Sequence, residues 1–147
     1  RGITGSILRY TPEGDIPTDN PFPGSPVYAY GFKNPYGLAF HPDNGQVCAT
    51  DNMSACCDQL KIVVRGKFHG WPGYWTRPSH AKDVIQGVIP PIFDSGTSRI
   101  APAQLIAYVG DQYGEQFKGN LFFTATNSGS IYRVVLSENG KKMENMF

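Results

Sequence analysis

Short runs of apolar and β-branched residues, separated by turns rich in glycine and proline, make up the hydrophobic pattern of this chain. Prolines or glycines interrupt nearly every window long enough for three helical turns, so a helical period is hard to find. Eight runs rich in β-branched or aromatic residues instead predict β-strands. They cover residues 6–10, 27–30, 38–40, 47–50, 60–64, 105–108, 120–124 and 130–136. The pattern therefore predicts an all-β fold.

Three of these runs end in a similar turn signal, at residues 10–14, 40–45 and 136–140. Each signal contains a glycine after Asn or Glu, and glycine supplies the positive φ that a tight connection between antiparallel strands requires. We therefore predict three hairpins. Two proline-containing segments, 16–26 and 71–91, predict long surface loops, which often carry function.

The recurring turn signals indicate a repeated hairpin unit, and a β-propeller is one fold built from such units. A blade takes about 40 to 50 residues in common repeat families, so the 147 residues of this chain predict about three blades. Three blades are too few to close a ring. We therefore expect the chain to be part of a larger propeller, completed by a longer polypeptide or by other chains.

The composition of the chain excludes some classes of function. Thirteen basic and twelve acidic residues give a formal net charge of +1. Without a lysine-arginine cluster, the chain lacks the phosphate-neutralising surface of a nucleic-acid-binding protein. No apolar stretch approaches the roughly 18 residues of a membrane span. The first residues lack the pattern of a signal peptide, so we expect any export signal to lie outside the chain.

The three cysteines leave two pairings open. Cys56 and Cys57 are adjacent and could bridge each other, or one of them could bridge to Cys48 on a neighbouring strand. Because the count is odd, at most one intramolecular bridge forms. The cysteines alone therefore leave the cellular compartment open.

Four segments together resemble the soluble quinone-dependent aldose sugar dehydrogenases, the glucose/sorbosone dehydrogenase family. The most specific is 27–40, which contains Lys33-Asn34-Pro35 where that family usually carries arginine, asparagine and proline. The others are 5–22, 47–60 followed by 70–72, and 100–108 with 117–134. The resemblance covers nearly the whole chain, as one partial propeller domain at 1–147.

This resemblance implies a six-bladed β-propeller that binds pyrroloquinoline quinone (PQQ) and calcium where the blade loops converge. It also implies an extracellular or periplasmic oxidoreductase that oxidises aldose sugars at C1 by hydride transfer to the quinone. The protein then supplies a base, cations for the quinone carboxylates and a calcium site. The alternative is a non-catalytic propeller that binds a carbohydrate or protein partner with the same face.

Three residues match cofactor-binding positions of the family: Lys33, Asn34 and Asn52. Lysine offers positive charge to a quinone carboxylate, although not the planar fork of arginine. The alternative is a surface lysine and an asparagine that shapes the turn before Pro35. Arg99 could add a second cation.

Three further residues match the family's calcium site: Met53 and Ser54 through their backbone oxygens, and Asp58 through its carboxylate. Calcium prefers about six to eight oxygen ligands. Asp51 also matches an acidic position of the family. The alternative is that Asp51 and Asp58 are solvated loop carboxylates at a blade edge.

The histidines offer neither a zinc site nor a catalytic base. His41, His69 and His80 lack the spacing of zinc ligands, and the family's catalytic histidine lies upstream of the portion that this chain resembles. We therefore assign no catalytic residue. Trp71 and the nearby Tyr74 and Trp75 are candidates for stacking on a sugar ring or for packing between blades.

Overall fold

A computed structural model describes residues 2–73, 86–137, 140 and 142–147. Within them the regular structure consists of short strands and one 3-10 turn, Glu115–Phe117. The ten strands are β1 (Ser6–Leu8), β2 (Val27–Tyr30), β3 (Pro35–Phe40), β4 (Val47–Asp51), β5 (Gln59–Ile62), β6 (Phe93–Asp94), β7 (Pro102–Ala107), β8 (Leu121–Ala125), β9 (Ser130–Leu136) and β10 (Met143–Met146). The predicted all-β class is confirmed.

The strands form three antiparallel sheets. Strands β3 to β6 make one four-stranded sheet and β7 to β10 make another, each with its strands in chain order, while β1 pairs with β2. A four-stranded meander is the blade of a β-propeller. The chain therefore holds two complete blades and part of a third, in agreement with the predicted propeller.

All eight predicted runs contain or overlap a strand, and two further strands, β6 and β10, were not predicted. The hairpins between β3 and β4 and between β9 and β10 are confirmed. The hairpin predicted at 10–14 is wrong. The Gly14 N–H does close a turn onto the Thr11 carbonyl, but the chain then continues through a loop to β2, and β1 pairs with β2 across it.

The two complete blades pack face to face around an apolar core. Leu60, Leu105 and Phe123 are among its fully buried members. Strands β3 and β7 approach closely at Gly37, where an added Cβ would lie 2.4 Å from the Leu105 backbone nitrogen. A second, smaller apolar cluster, which includes Phe32, joins the β1–β2 sheet to the opposite face of the first blade.

This packing brings several strand ends together. Pro35, at the start of β3, pairs with Asp51 at the end of β4, and Pro102, at the start of β7, pairs with Ala125 at the end of β8. The functional residues predicted from the sequence lie at this end of the blades. Among the described residues, no helix is long and apolar enough to cross a membrane.

Candidate functional site

A groove of about 450 Å³ lies where these strand ends meet. It contains all six residues predicted for the cofactor and the metal: Lys33, Asn34, Asn52, Met53, Ser54 and Asp58. The remaining lining comes mainly from the second blade and the segment before it: Tyr36, Arg99, Ala101, Pro102, Ala103, Thr126 and Asn127. The fold thus brings together residues from both complete blades.

The turn that carries Lys33 and Asn34 is fixed by the side chain of Asp51. The Asn34 N–H donates to Asp51 Oδ1 over 2.7 Å, and the Lys33 N–H lies 3.2 Å from both carboxylate oxygens. Asp51 is fully buried. The alternative in which Asp51 is a solvated loop carboxylate is therefore wrong, because its oxygens are committed to backbone donors beneath the groove.

A buried lysine neutralises this carboxylate. Lys61 Nζ lies 2.6 Å from Asp51 Oδ2, and both side chains are completely inaccessible to solvent. Lys61 also donates to the His69 carbonyl over 3.3 Å and lies 5.1 Å from the centre of the Phe32 ring. Burial lowers the pKa of Lys61, and the adjacent Asp51 charge opposes that shift.

Asp58 joins the two blades at the floor of the groove. One carboxylate oxygen accepts the Met53 N–H and the other accepts the Ala101 N–H, each over 2.9 Å. Asp58 is 3% exposed, so it is not a solvated loop residue either. The described residues contain no group of three or more His, Cys, Asp or Glu side chains placed to hold a metal ion.

The segment from Asn52 to Ser54 carries the other predicted ligands. The Asn52 side-chain amide donates to the Pro102 carbonyl over 2.6 Å, and its backbone N–H donates to the Asn34 carbonyl over 3.1 Å. Within the described part of the chain, the carbonyls of Met53 and Ser54 accept no hydrogen bond. These two oxygens therefore remain available to a cation or a polar ligand.

Electrostatically, the groove favours an anion. Lys33 and Arg99 line it, and neither forms an ion pair with another described residue. Both carboxylates of the site, Asp51 and Asp58, accept backbone N–H groups, and Lys61 further neutralises Asp51. With Asp51 neutralised by Lys61, the lining keeps the charges of Lys33 and Arg99 against that of Asp58, and the cation in excess attracts carboxylates or phosphates.

A disulfide links Cys56 to Cys57 in the loop that follows the predicted metal ligands, which decides between the two pairings. Cys48 is a buried free thiol, and burial raises its pKa to about 12. A thiol that stays protonated at neutral pH is a poor nucleophile and metal ligand. Cys48 therefore belongs to the core between the blades.

His41 and His69 lie outside the lining of the groove. His69 is buried, stacks on Phe32 with 4.6 Å between ring centres and accepts the Val64 N–H at Nε2 over 3.2 Å. Burial, followed by the Lys61 charge, lowers its pKa to about 3. The third histidine, His80, lies outside the described residues.

Trp71 borders the groove from the side. It lines a small adjoining cavity of about 70 Å³ together with Lys33, Met53, Ser54 and Ala55. Its neighbours in the prediction, Tyr74 and Trp75, and most of the predicted loop 71–91 lie outside the described residues.

Sequence reasoning missed the role of Lys61. The sequence does contain an indication of this role, since Lys61 lies within the apolar run 60–64 and a lysine is almost never fully buried without a partner. What the sequence does not show is the register that places this lysine beside Asp51 across β4 and β5.

Comparisons with known proteins agree with this architecture. The Glucose / Sorbosone dehydrogenase family model matches residues 2–146. The aldose sugar dehydrogenase YliI of Escherichia coli is 27% identical over 96% of this chain and 40% of its own length. Quinoprotein glucose dehydrogenase B of Acinetobacter calcoaceticus is 41% identical over 46% of this chain and 15% of its own length.

A solved structure shows the same fold. The PQQ-bound form of the aldose sugar dehydrogenase from Streptomyces coelicolor aligns with a TM-score of 0.78 and 27% identity, over 97% of this chain and 39% of that one. The chain thus spans about two fifths of the length of relatives that it matches almost throughout. Because the family model matches nearly every residue, this chain belongs to the glucose/sorbosone dehydrogenase family, the PQQ-dependent sugar dehydrogenases.

Proposed function

We propose that the protein is a quinone-dependent oxidoreductase that oxidises aldose sugars at C1, with PQQ bound in the groove between the two complete blades. The observation that carries this proposal is the groove itself. It unites all six predicted residues and offers two unpaired cations within the described chain, while its carboxylates are committed to backbone donors.

The charge of the groove suits an anionic quinone. PQQ bears carboxylates, and Lys33 and Arg99 in the lining offer charges to them. Asn34 and Asn127 add polar groups to the lining. PQQ would supply the hydride acceptor for the substrate, and the protein would contribute binding, orientation and electrostatics. Lys33 acts as a point charge, so its effect depends on where the turn places it.

For calcium, the chain offers a partial site. The carbonyl oxygens of Met53 and Ser54 are free of protein donors among the described residues, whereas each Asp58 oxygen already accepts a backbone N–H. Calcium takes about six to eight oxygens. We therefore propose that Met53 and Ser54 would be its ligands from this chain, with Asp58 holding the loop that presents them.

We propose that the remaining blades, in a longer chain or in a partner chain, complete the site and supply the catalytic base. The lengths of the relatives support this, because the chain covers only 40% of the Escherichia coli protein. Exposed apolar side chains support it too. Tyr36, Leu38 and Phe40 on β3 are 65%, 47% and 70% exposed, and contiguous apolar surface of this kind marks an interface.

We place the protein outside the cytosol, in an extracellular or periplasmic setting. The Cys56–Cys57 disulfide supports this location, because disulfides persist mainly in oxidising compartments.

Titration of the complete, metal-free propeller, with the remaining blades present, with PQQ in the presence of calcium tests the binding step, followed by dye reduction with a panel of aldoses. We expect stoichiometric binding and sugar-dependent reduction. Replacing the groove lysine, Lys33→Met, should weaken PQQ binding about tenfold or more, the scale of one lost charge-assisted contact. Replacing the exposed Lys118 by Met should leave it unchanged. A wild-type protein that binds no PQQ would refute the proposal.

The second candidate is a non-catalytic propeller that binds a carbohydrate or protein partner in the same groove. The observation that favours it is that Asn127, an uncharged residue of the groove lining, offers no further cation to a quinone carboxylate. Its amide donates to the Arg99 carbonyl over 3.0 Å. Binding of a glycan with no effect of PQQ as a competitor would support this candidate over the first.

A further inference from the structure

The turn at Lys33 and Asn34 depends on one buried side chain for its position. Asp51 is the last residue of β4 and pairs with Pro35, so its carboxylate lies beneath the turn that precedes β3. It accepts the backbone N–H groups of both turn residues. The turn carbonyl of Asn34 is held in addition by the Asn52 N–H. A carboxylate that binds two successive N–H groups fixes the backbone more firmly than one neutral acceptor does.

Lys61 removes the electrostatic cost of that carboxylate. It comes from β5, is 0% exposed and contacts Asp51 Oδ2 at 2.6 Å. Without Lys61, a buried negative charge would lie directly below the Lys33 turn. Such a charge would attract the Lys33 ammonium inward and repel an anionic ligand. Lys33 has no ion-pair partner among the described residues, so no described carboxylate competes with a ligand for its charge.

We infer that Asp51 and Lys61 are positioning residues for the quinone site. Asp51 fixes the turn that presents Lys33 and Asn34, and Lys61 neutralises Asp51 so that the Lys33 charge serves the ligand. We call this pair the Asp51–Lys61 clamp. The inference rests on the proposed function for the identity of the ligand. The hydrogen bonds by which Asp51 fixes the turn do not depend on any ligand.

The experiment uses a charge-neutral variant of the purified protein, Asp51→Asn/Lys61→Met. The amide oxygen of Asn is a weaker acceptor, and its NH₂ group cannot accept a backbone N–H at all. The matched control is Thr50→Val in the same strand. Thr50 is fully buried, accepts the Gly37 N–H over 2.9 Å and donates to the Ala103 carbonyl over 2.8 Å, but does not touch the turn.

Two quantities are measured. Amide hydrogen exchange without quinone follows the peptide 31–36 and a reference peptide in β8, 121–125. PQQ affinity is measured with calcium at a temperature where all variants are folded. In the double variant we expect faster exchange confined to 31–36 and about 10- to 100-fold weaker PQQ binding, the scale of a lost supporting contact. Thr50→Val should lower stability but leave both the turn and the affinity unchanged.

The outcomes distinguish a failure of the clamp hypothesis from a failure of the proposed function. Unchanged exchange at 31–36 in the double variant overturns the clamp. Faster exchange with unchanged affinity overturns its role in ligand binding, as does an equal loss of affinity in Thr50→Val. If the wild-type protein binds no PQQ, the proposed function fails. Faster exchange at 31–36 then still supports the hold of Asp51 on the turn, and unchanged exchange overturns it.

Discussion

Removing the buried ammonium, Lys61→Met, should destabilise the protein far more than removing an exposed one. At a separation of 2.6 Å and an effective dielectric constant of about 20, the gross attraction between Lys61 and Asp51 is about 6 kcal/mol. Methionine fills most of the volume and removes the desolvation cost of the ammonium, which offsets part of this loss. What remains is a buried Asp51 charge without its partner. We therefore expect the free energy of unfolding to fall by about 3–5 kcal/mol.

Urea denaturation of the purified variants measures this change. The matched control is Lys118→Met, because Lys118 also contacts an aspartate, Asp111 at 2.9 Å, but on the surface. That control should leave the free energy of unfolding unchanged within error. In the double variant Asp51→Asn/Lys61→Met no charge is left uncompensated. The remaining cost is an imperfectly paired backbone N–H, about 1–3 kcal/mol, so the double variant should be more stable than Lys61→Met alone.

Equal effects of Lys61→Met and Lys118→Met would refute this reasoning. So would a double variant that is less stable than the single one, because the cost would then come from lost packing and not from the uncompensated carboxylate.

Two further predictions concern the core. The pKa of His69 is lowered to about 3, so below an ordinary pKa of about 6.5 the unfolded state binds a proton that the native state does not, and stability falls by about 1.4 kcal/mol per pH unit. The variant His69→Gln keeps an acceptor for the Val64 N–H but cannot be protonated. Between about pH 7 and pH 5 it should therefore lose about 2 kcal/mol less unfolding free energy than the wild-type protein. Equal losses in the variant and the wild type would contradict the lowered pKa of His69. Gly37→Ala should cost about 1–3 kcal/mol in urea denaturation, because the added Cβ would lie 2.4 Å from the Leu105 nitrogen. Gly2→Ala, with no atom within 4 Å, is the control, and equal stability of the two variants would contradict the close approach of β3 and β7.

The strands were largely predictable because their signal is local. Runs of β-branched and aromatic residues gave the bounds of β2 and β9 as observed. The two-residue strand β6 is too short to produce a pattern, and β10, Met-Glu-Asn-Met, has little β-propensity of its own. Its pairing with β9 overrides that preference. The turn signal at 10–14 is also genuine, but a local turn does not fix which strands flank it.

The residues that line the site were predictable from the sequence, but the electrostatic environment of the site was not. The resemblance to the family located the six lining residues, which lie in two short stretches of the sequence. The direction in which the acidic side chains face could be learned only from the fold. Asp51 and Asp58 could equally have faced water, and only the register of β4 with β3 and β5 shows that Asp51 faces backbone donors and Lys61.

The composition of the chain therefore says little about the charge that a ligand meets. Basic and acidic residues nearly balance over the sequence, and the groove region itself contains Asp51 and Asp58 beside Lys33 and Arg99. The balance is broken by the buried ion pair, because Lys61 neutralises Asp51 and leaves Lys33 and Arg99 in the lining against Asp58 alone. Lysine at position 33 increases the importance of this arrangement. A guanidinium can orient itself through a bidentate contact with a ligand carboxylate, whereas an ammonium on a flexible stem depends on its backbone for position. The fixed turn and the lysine are thus complementary parts of one anion-binding design.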